Sequence, residues 1–307
     1  MPARLVRKEA PGPRAAAWEI SGPPGAPVIV VLGGISAHRH VTSTTSDPSP
    51  GWWQELVGPG SAIDTSRYRA LGIDWAAHEG VTTRDQADRL AAALDDLGVA
   101  RVEAIVGASY GGMVALAFGA AYRSRVGRLV LISGAHETHP MATAHRVIQR
   151  RIIRLGLAAG TPTEGLALAR ALGVTTYRTA AEFAGRFDVA PERIGDRERF
   201  PVEGYLDHCG QRFAANWKAE RYLALSESLD LHRVDPATVT VPTALLGIRE
   251  DTLVPTWQLW ELASRLGAVS RVEEISSIYG HDAFLKEVDA VGTFLSEAVN
   301  GEVSRAA

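Results

Sequence analysis

Six residues, Gly107-Ala108-Ser109-Tyr110-Gly111-Gly112, constrain this chain more than any others. They follow directly on a β-branched run at 102–106 (VEAIV) and lead directly into a helical run, GMVALAFGAAY. A strand that passes into a helix through so short a turn must bend sharply. The bend forces the serine into a strained backbone conformation and leaves room beside it only for Gly or Ala. It also holds the hydroxyl out at the carboxyl edge of a sheet and at a helix N-terminus, where the dipole favours developing negative charge. In that context G-x-S-x-G reads as a nucleophile elbow, with Ser109 the candidate nucleophile.

The rest of the pattern supplies the sheet. Short apolar runs at 28–32 (VIVVL), 68–73, 102–106 and 129–133 alternate with longer helical patterns, as in a parallel sheet with helices on its faces. Between the second and third runs, Ala87, Leu90, Ala91, Leu94 and Leu97 recur at helical spacing, with Thr82 or Thr83 to cap the start and Gly98 to follow the end. That is a crossover helix over 82–97. After Ser133 the alternation stops for about a hundred residues and becomes helical or irregular, which points to an inserted helical lid over 136–235. Strands resume at 243–247 and 271–275, with helices expected at 256–266 and 283–298. The expected organisation is therefore a core of 1–135 and 236–307 divided by the lid.

Composition narrows the partners. With 46 % hydrophobic and 22 % charged residues the chain is an ordinary globular one, and its net charge of −3 gives no global field for nucleic acid or an anionic membrane. The uncharged stretch 104–122 contains four glycines and the elbow turn, so it reads as strand, turn and buried helix and not as a membrane span. One cysteine, Cys209, offers no intramolecular disulfide and no structural zinc site, and MPARLVRKEAPGP lacks the apolar stretch of a secretory signal. The expectation is a cytoplasmic protein with no metal and no bound cofactor.

A serine nucleophile needs a base, and the base needs a carboxylate to orient it; behind an elbow of this kind they follow in the order Asp, His. Asp251 lies in the strand-end loop GIREDTLVP, where Glu250 is its competitor. His281 lies in YGHDAFL, after the last strand and at a helix start. The oxyanion donors are expected to be the N–H of Tyr110 and, from the turn Gly33-Gly34-Ile35-Ser36, that of Ile35.

These residues in their contexts resemble the homoserine O-acyltransferase family, a branch of the α/β-hydrolase fold. The block GWW at 51–53 followed by LVGPGSAIDTSRY at 56–68 is similar to that family's GWW…GPGKAIDT signature, and GASYGG to its GASMGG elbow. YLD at 205–207, the YL at 222–223 with LDLH at 229–232, and HDAFL at 281–285 are similar to its lid and histidine segments. The resemblance covers roughly 28–285. It implies an α/β-hydrolase fold with a mostly parallel sheet, Ser109, Asp251 and His281 as the triad, and ping-pong transfer from an acyl-CoA substrate to L-homoserine in methionine synthesis. It further implies that Arg178 reaches the homoserine carboxylate and Asp282 its amine. Partners are then small molecules, together with a second copy of the chain met through the lid. The chain departs from the family in the segment after the first strand, Gly33-Gly34-Ile35-Ser36-Ala37, and in Ala76-Ala77-His78-Glu79-Gly80.

Two expectations concern the donor. Arg146, Arg150 and Arg154 stand at i, i+4 and i+8 of a helical run at 144–155, so the stripe either meets CoA phosphates at the channel mouth or is a solvated face. His38-Arg39-His40 is more basic than the family's segment, so Arg39 either pairs with the carboxylate of a succinyl donor, binds CoA phosphate or faces solvent. On that basis succinyl-CoA is favoured over acetyl-CoA. A serine O-acyltransferase and a serine esterase with the same triad are the alternatives, differing in what reaches the acyl-enzyme.

Overall fold

The computed structural model describes residues 6–8 and 16–301. Its strands are β1 (Val6–Lys8), β2 (Trp18–Ser21), β3 (Val28–Leu32), β4 (Val57–Gly58), β5 (Ile63–Asp64), β6 (Arg69–Ile73), β7 (Val102–Ala108), β8 (Val126–Ile132), β9 (Glu192–Ile194), β10 (Arg197–Arg199), β11 (Thr243–Ile248) and β12 (Val269–Ile275). Its helices are α1 (Thr83–Asp96), α2 (Tyr110–Ala121), α3 (Pro140–Ala158), α4 (Pro162–Tyr177), α5 (Ala180–Phe187), α6 (Pro201–Ala214), α7 (Ala219–Asp230), α8 (Thr256–Arg265), α9 (Ala283–Lys286) and α10 (Val288–Asn300). The main sheet has eight strands in the order β1-β2-β6-β3-β7-β8-β11-β12. From β6 to β12 neighbours are parallel, and β2 and β1 add antiparallel strands at one edge.

A parallel sheet buried on both faces explains why VIVVL is apolar without a break. Successive side chains point to opposite faces, so Val28, Val30 and Leu32 pack with Leu90, Leu94 and Met113 of α1 and α2, while Ile29 and Val31 pack with Phe294 and Leu295 of α10. The crossover helix begins as its sequence requires: the Thr82 side chain accepts the Asp85 N–H, and the Asp85 carboxylate accepts the Thr82 N–H at 2.8 Å.

Helices α3 to α7 stand between β8 and β11, and they pack closely. A Cβ on Gly156 of α3 would lie 2.8 Å from the Cα of Gly165 on α4, so glycine at both positions sets how near the two helices come. Within this region a β9–β10 hairpin turns at Gly195, which has φ 63°. Its short, exposed, charged strands carry no apolar alternation, so the sequence reads there as irregular. The helix expected over 283–298 is broken at Glu287, whose carboxylate accepts the Ser277 hydroxyl at 2.7 Å and whose backbone leaves the helical region at φ −89°, ψ 63°. Among the described residues no helix is long and apolar enough to cross a membrane.

Candidate active site

The elbow is built as its glycines demand. Ser109 has φ 54°, ψ −120° at the junction of β7 and α2. A Cβ on Gly107 would stand 2.4 Å from the Gly111 carbonyl oxygen, and one on Gly111 would stand 2.3 Å from that of Leu32. No side chain fits at either position without moving backbone, and the turn that excludes them raises Ser109 Oγ above the sheet.

The structure brings the three widely separated candidates together. His281 Nε2 is 2.8 Å from Ser109 Oγ, and His281 Nδ1 is 2.6 Å from Asp251 Oδ2. Asp251 is buried, and its other oxygen accepts the N–H groups of Leu253 at 2.8 Å and Val254 at 3.0 Å. Those two bonds fix the carboxylate, the carboxylate fixes Nδ1 as the protonated nitrogen, and Nε2 is left to accept from the serine. Burial disfavours the charged ring of His281, but the Asp251 charge and hydrogen bond outweigh it, so its pKa is raised above 6.5.

Glu250 is occupied elsewhere: its carboxylate accepts the Ser277 N–H at 2.8 Å and the Ser276 hydroxyl, bracing the loop that delivers His281. The GWW block braces the same segment from the far side, for the Trp53 indole N–H donates to the Phe284 carbonyl at 2.9 Å. Trp52 lines the catalytic cavity and donates to the His38 carbonyl at 3.0 Å. Tyr110 carries the elbow's tie to α7, with its hydroxyl 2.7 Å from Ser228 Oγ and its pKa pushed up to about 12 by burial.

Ser109 and His281 open into a cavity of about 220 Å³ between the strand ends and the inserted helices. Ile35 is on its wall, and the amide of Tyr110, the first residue of α2, has no intrahelical acceptor. Asp282 also faces this cavity.

Other expected residues are placed differently. The guanidinium of Arg178 is held by Glu182 at 3.0 Å and by Asp282 at 3.0 Å, so the two groups expected at opposite ends of a zwitterion are paired with each other. Arg39 is directed to Asp74, its N–H donating at 2.8 Å and its Nη1 lying 3.7 Å from the carboxylate, and it is not on the cavity wall. The reason is local: the segment turns at buried His40, which Glu19 holds at 2.6 Å. The arginine stripe is divided as well. Arg150 is buried and spent on Asp230 at 2.6 Å and on the Ser226 carbonyl at 2.9 Å, Arg146 reaches the cavity but is also paired with Asp230, and Arg154 is exposed. At Arg146 and Arg150 the face is thus a buried clasp, because α7 brings an aspartate against it, and only Arg154 of the three is solvated.

Sequence reasoning missed Gln149, Arg170, Tyr177 and Tyr222 on the cavity wall. Arg170 and Tyr177 are seven residues apart on α4 and so share a helix face, but nothing in the chain says that this face meets the elbow.

Comparison with known proteins places the chain in a family. The family described as the alpha/beta hydrolase fold matches residues 27–288. A homoserine O-succinyltransferase of Xanthomonas campestris pv. campestris is 44 % identical over 287 residues, 92 % of this chain and 78 % of that protein. A serine O-succinyltransferase of Frateuria aurantia is 34 % identical, over 87 % of this chain and 88 % of that one. Among solved structures, homoserine O-acetyltransferase from Bacillus anthracis superposes with a TM-score of 0.85 at 21 % identity, covering 94 % of this chain and 93 % of that one, a likeness of fold.

Proposed function

Since the chain belongs to the homoserine O-acyltransferase family of the α/β-hydrolase fold, we propose that it moves a succinyl group from succinyl-CoA to the hydroxyl of L-homoserine through an acyl-enzyme on Ser109. The observation that carries the chemistry is the relay from Ser109 through His281 to Asp251, at 2.8 and 2.6 Å, opening into the cavity beneath the inserted helices. His281 takes the Ser109 proton as Oγ attacks the thioester carbonyl, and the amides of Tyr110 and Ile35 meet the oxyanion. CoA leaves as the thiol, taking that proton from His281. The homoserine hydroxyl then gives its proton to His281 and attacks the acyl-serine, and Ser109 Oγ leaves and takes the proton back from His281, while Asp251 holds the ring throughout.

The Arg178–Asp282 pair suits a zwitterionic acceptor, since separating the two presents a cation to the carboxylate and an anion to the ammonium. The preference for a succinyl donor no longer rests on Arg39. It rests on the name of the 44 % identical relative, an O-succinyltransferase, since relatives at 30–34 % identity include O-succinyl- and O-acetyltransferases alike. The 34 % identical relative quoted above acts on serine, which differs by one methylene, worth only about 1–3 kcal/mol in discrimination, so serine belongs in the test.

That test pairs succinyl-CoA or acetyl-CoA with homoserine or serine and follows thiol release and product mass. Thiol release from succinyl-CoA should depend on homoserine and yield O-succinylhomoserine. Release that ignores the amino acid and yields free acid would make the protein an esterase.

A further inference from the structure

The turn after β3 is fastened at two successive peptides. The Gly33 carbonyl accepts the Gly111 N–H at 2.9 Å, which ties the turn to the elbow two residues beyond Ser109. The Gly34 carbonyl accepts the indole N–H of Trp75 at 3.0 Å and the Ala37 N–H at 2.9 Å. Gly34 and Ile35 are joined by a trans peptide, whose plane holds the C=O and the N–H in opposite directions. Keeping the Gly34 oxygen on Trp75 therefore turns the Ile35 N–H away from Trp75, and that N–H has no acceptor among the described residues. Gly34, Ile35 and Ser109 stand on the wall of one cavity. A Cβ at Gly34 would have nothing within 4 Å, so no side-chain packing there sets the plane of the peptide, and its hydrogen bonds must.

Trp75 is itself fixed. It is 3 % exposed, and its ring meets that of Tyr110 nearly at right angles, with centroids 5.0 Å apart. The next residue, Ala76, is held at both ends by the buried Gln86 amide, which accepts its N–H at 3.0 Å and donates to its carbonyl at 2.8 Å. The same amide donates to the Tyr110 hydroxyl at 3.3 Å. One indole thus bonds the peptide that carries the Ile35 N–H and packs on the residue that carries the other expected oxyanion donor. Trp75 is not on the cavity wall, so what it does for the reaction it does through those two residues. The contact also joins the two segments in which the chain departs from the family's pattern, 33–37 and 76–80, for Ala76 follows Trp75 directly.

We propose that Trp75 is a positioning residue for the oxyanion hole, its indole N–H locking the Gly34–Ile35 peptide so that the Ile35 N–H faces the reacting carbonyl. Without that bond the peptide beside Gly34 is free to rotate and to present its oxygen where the donor should be. The inference rests on the acyl-enzyme reading above.

The test uses Trp75→Phe, which keeps an aromatic ring beside Tyr110 and removes the donor. A second protein carries benzothienylalanine at position 75, exchanging the N–H for sulfur in a ring of the same shape. Rates are expressed per acylatable Ser109, counted from the burst amplitude. They are measured for acylation by succinyl-CoA, acetyl-CoA and p-nitrophenyl acetate, and for discharge of the acyl-enzyme by homoserine. Both tetrahedral intermediates place their oxygen in the same hole, so both half-reactions should slow about tenfold or more, by similar factors and with every donor. The homoserine concentration that half-saturates discharge and the acid limb of the pH profile should not move. A role in packing alone would reduce the number of acylatable sites while each remaining site reacts at the wild-type rate, and that result overturns the proposal. Loss confined to one donor, a raised homoserine requirement or a displaced acid limb also overturns it. Wild-type enzyme acylated by p-nitrophenyl acetate and by neither thioester sinks the acyltransferase reading, and the ester rates of the two variants still decide the role of Trp75. Wild-type enzyme that no donor acylates at Ser109 sinks both.

Discussion

At the scale of single residues, the behaviour of His281 follows from two opposed environments. Burial alone would favour the neutral ring, while Asp251 at 2.6 Å favours the charged form and prevails. The ring must be neutral to accept the Ser109 proton, so activity is lost as pH falls through its raised pKa. The acid limb of kcat/KM should therefore lie above 6.5, as a property of the His281–Asp251 pair, and it should move to lower pH in Asp251→Asn, where burial remains and the charge is gone. A limb at or below 6.5 in wild type, or one unmoved by the substitution, would contradict this electrostatic account. Ser109, Asp251 and His281 are legible in sequence because each sits in a strand-end loop whose neighbours declare the turn. The destinations of Arg39, Arg150 and Arg178 are not, because Asp74, Asp230 and Asp282 reach them through folding and not through spacing, and only Glu182, four residues from Arg178, is a local partner.

At the scale of elements, the inserted helices are fastened by charge as well as by packing. Asp230, at the end of α7, accepts from both Arg146 and Arg150 of α3, and all three side chains are at most 12 % exposed. Removing the shared acid leaves two guanidinium groups poorly solvated and uncompensated, a loss of about 3 kcal/mol or more. Asp230→Ala should show it as a lowered denaturant midpoint. A change below about 1 kcal/mol would mean that solvent reaches the clasp and that the arginines are surface charges. The crossover helix and the central strands could be read from periodicity because each buries one regular face. The edge strands β1 and β2 and the β9–β10 hairpin are too short for a period to emerge, and the break between α9 and α10 depends on Glu287 reaching back to Ser277. Those features are set by contacts and not by local pattern.

At the scale of the whole molecule, the core provides the relay of Ser109, His281 and Asp251, and the inserted helices line the cavity into which it opens. Tyr110 joins the two, part of the elbow at its backbone and bonded to α7 through its hydroxyl. The central claim is that acyl-CoA leaves an acyl group on Ser109 which homoserine removes and water does not. Intact-mass and peptide analysis of enzyme mixed with succinyl-CoA, first alone and then after adding homoserine, measures this most directly. The account predicts a succinyl adduct on the Ser109 peptide, absent in Ser109→Ala, which persists without acceptor and is discharged by homoserine to O-succinylhomoserine. An adduct on another residue, or one that decays to succinate at the same rate with and without homoserine, would contradict it.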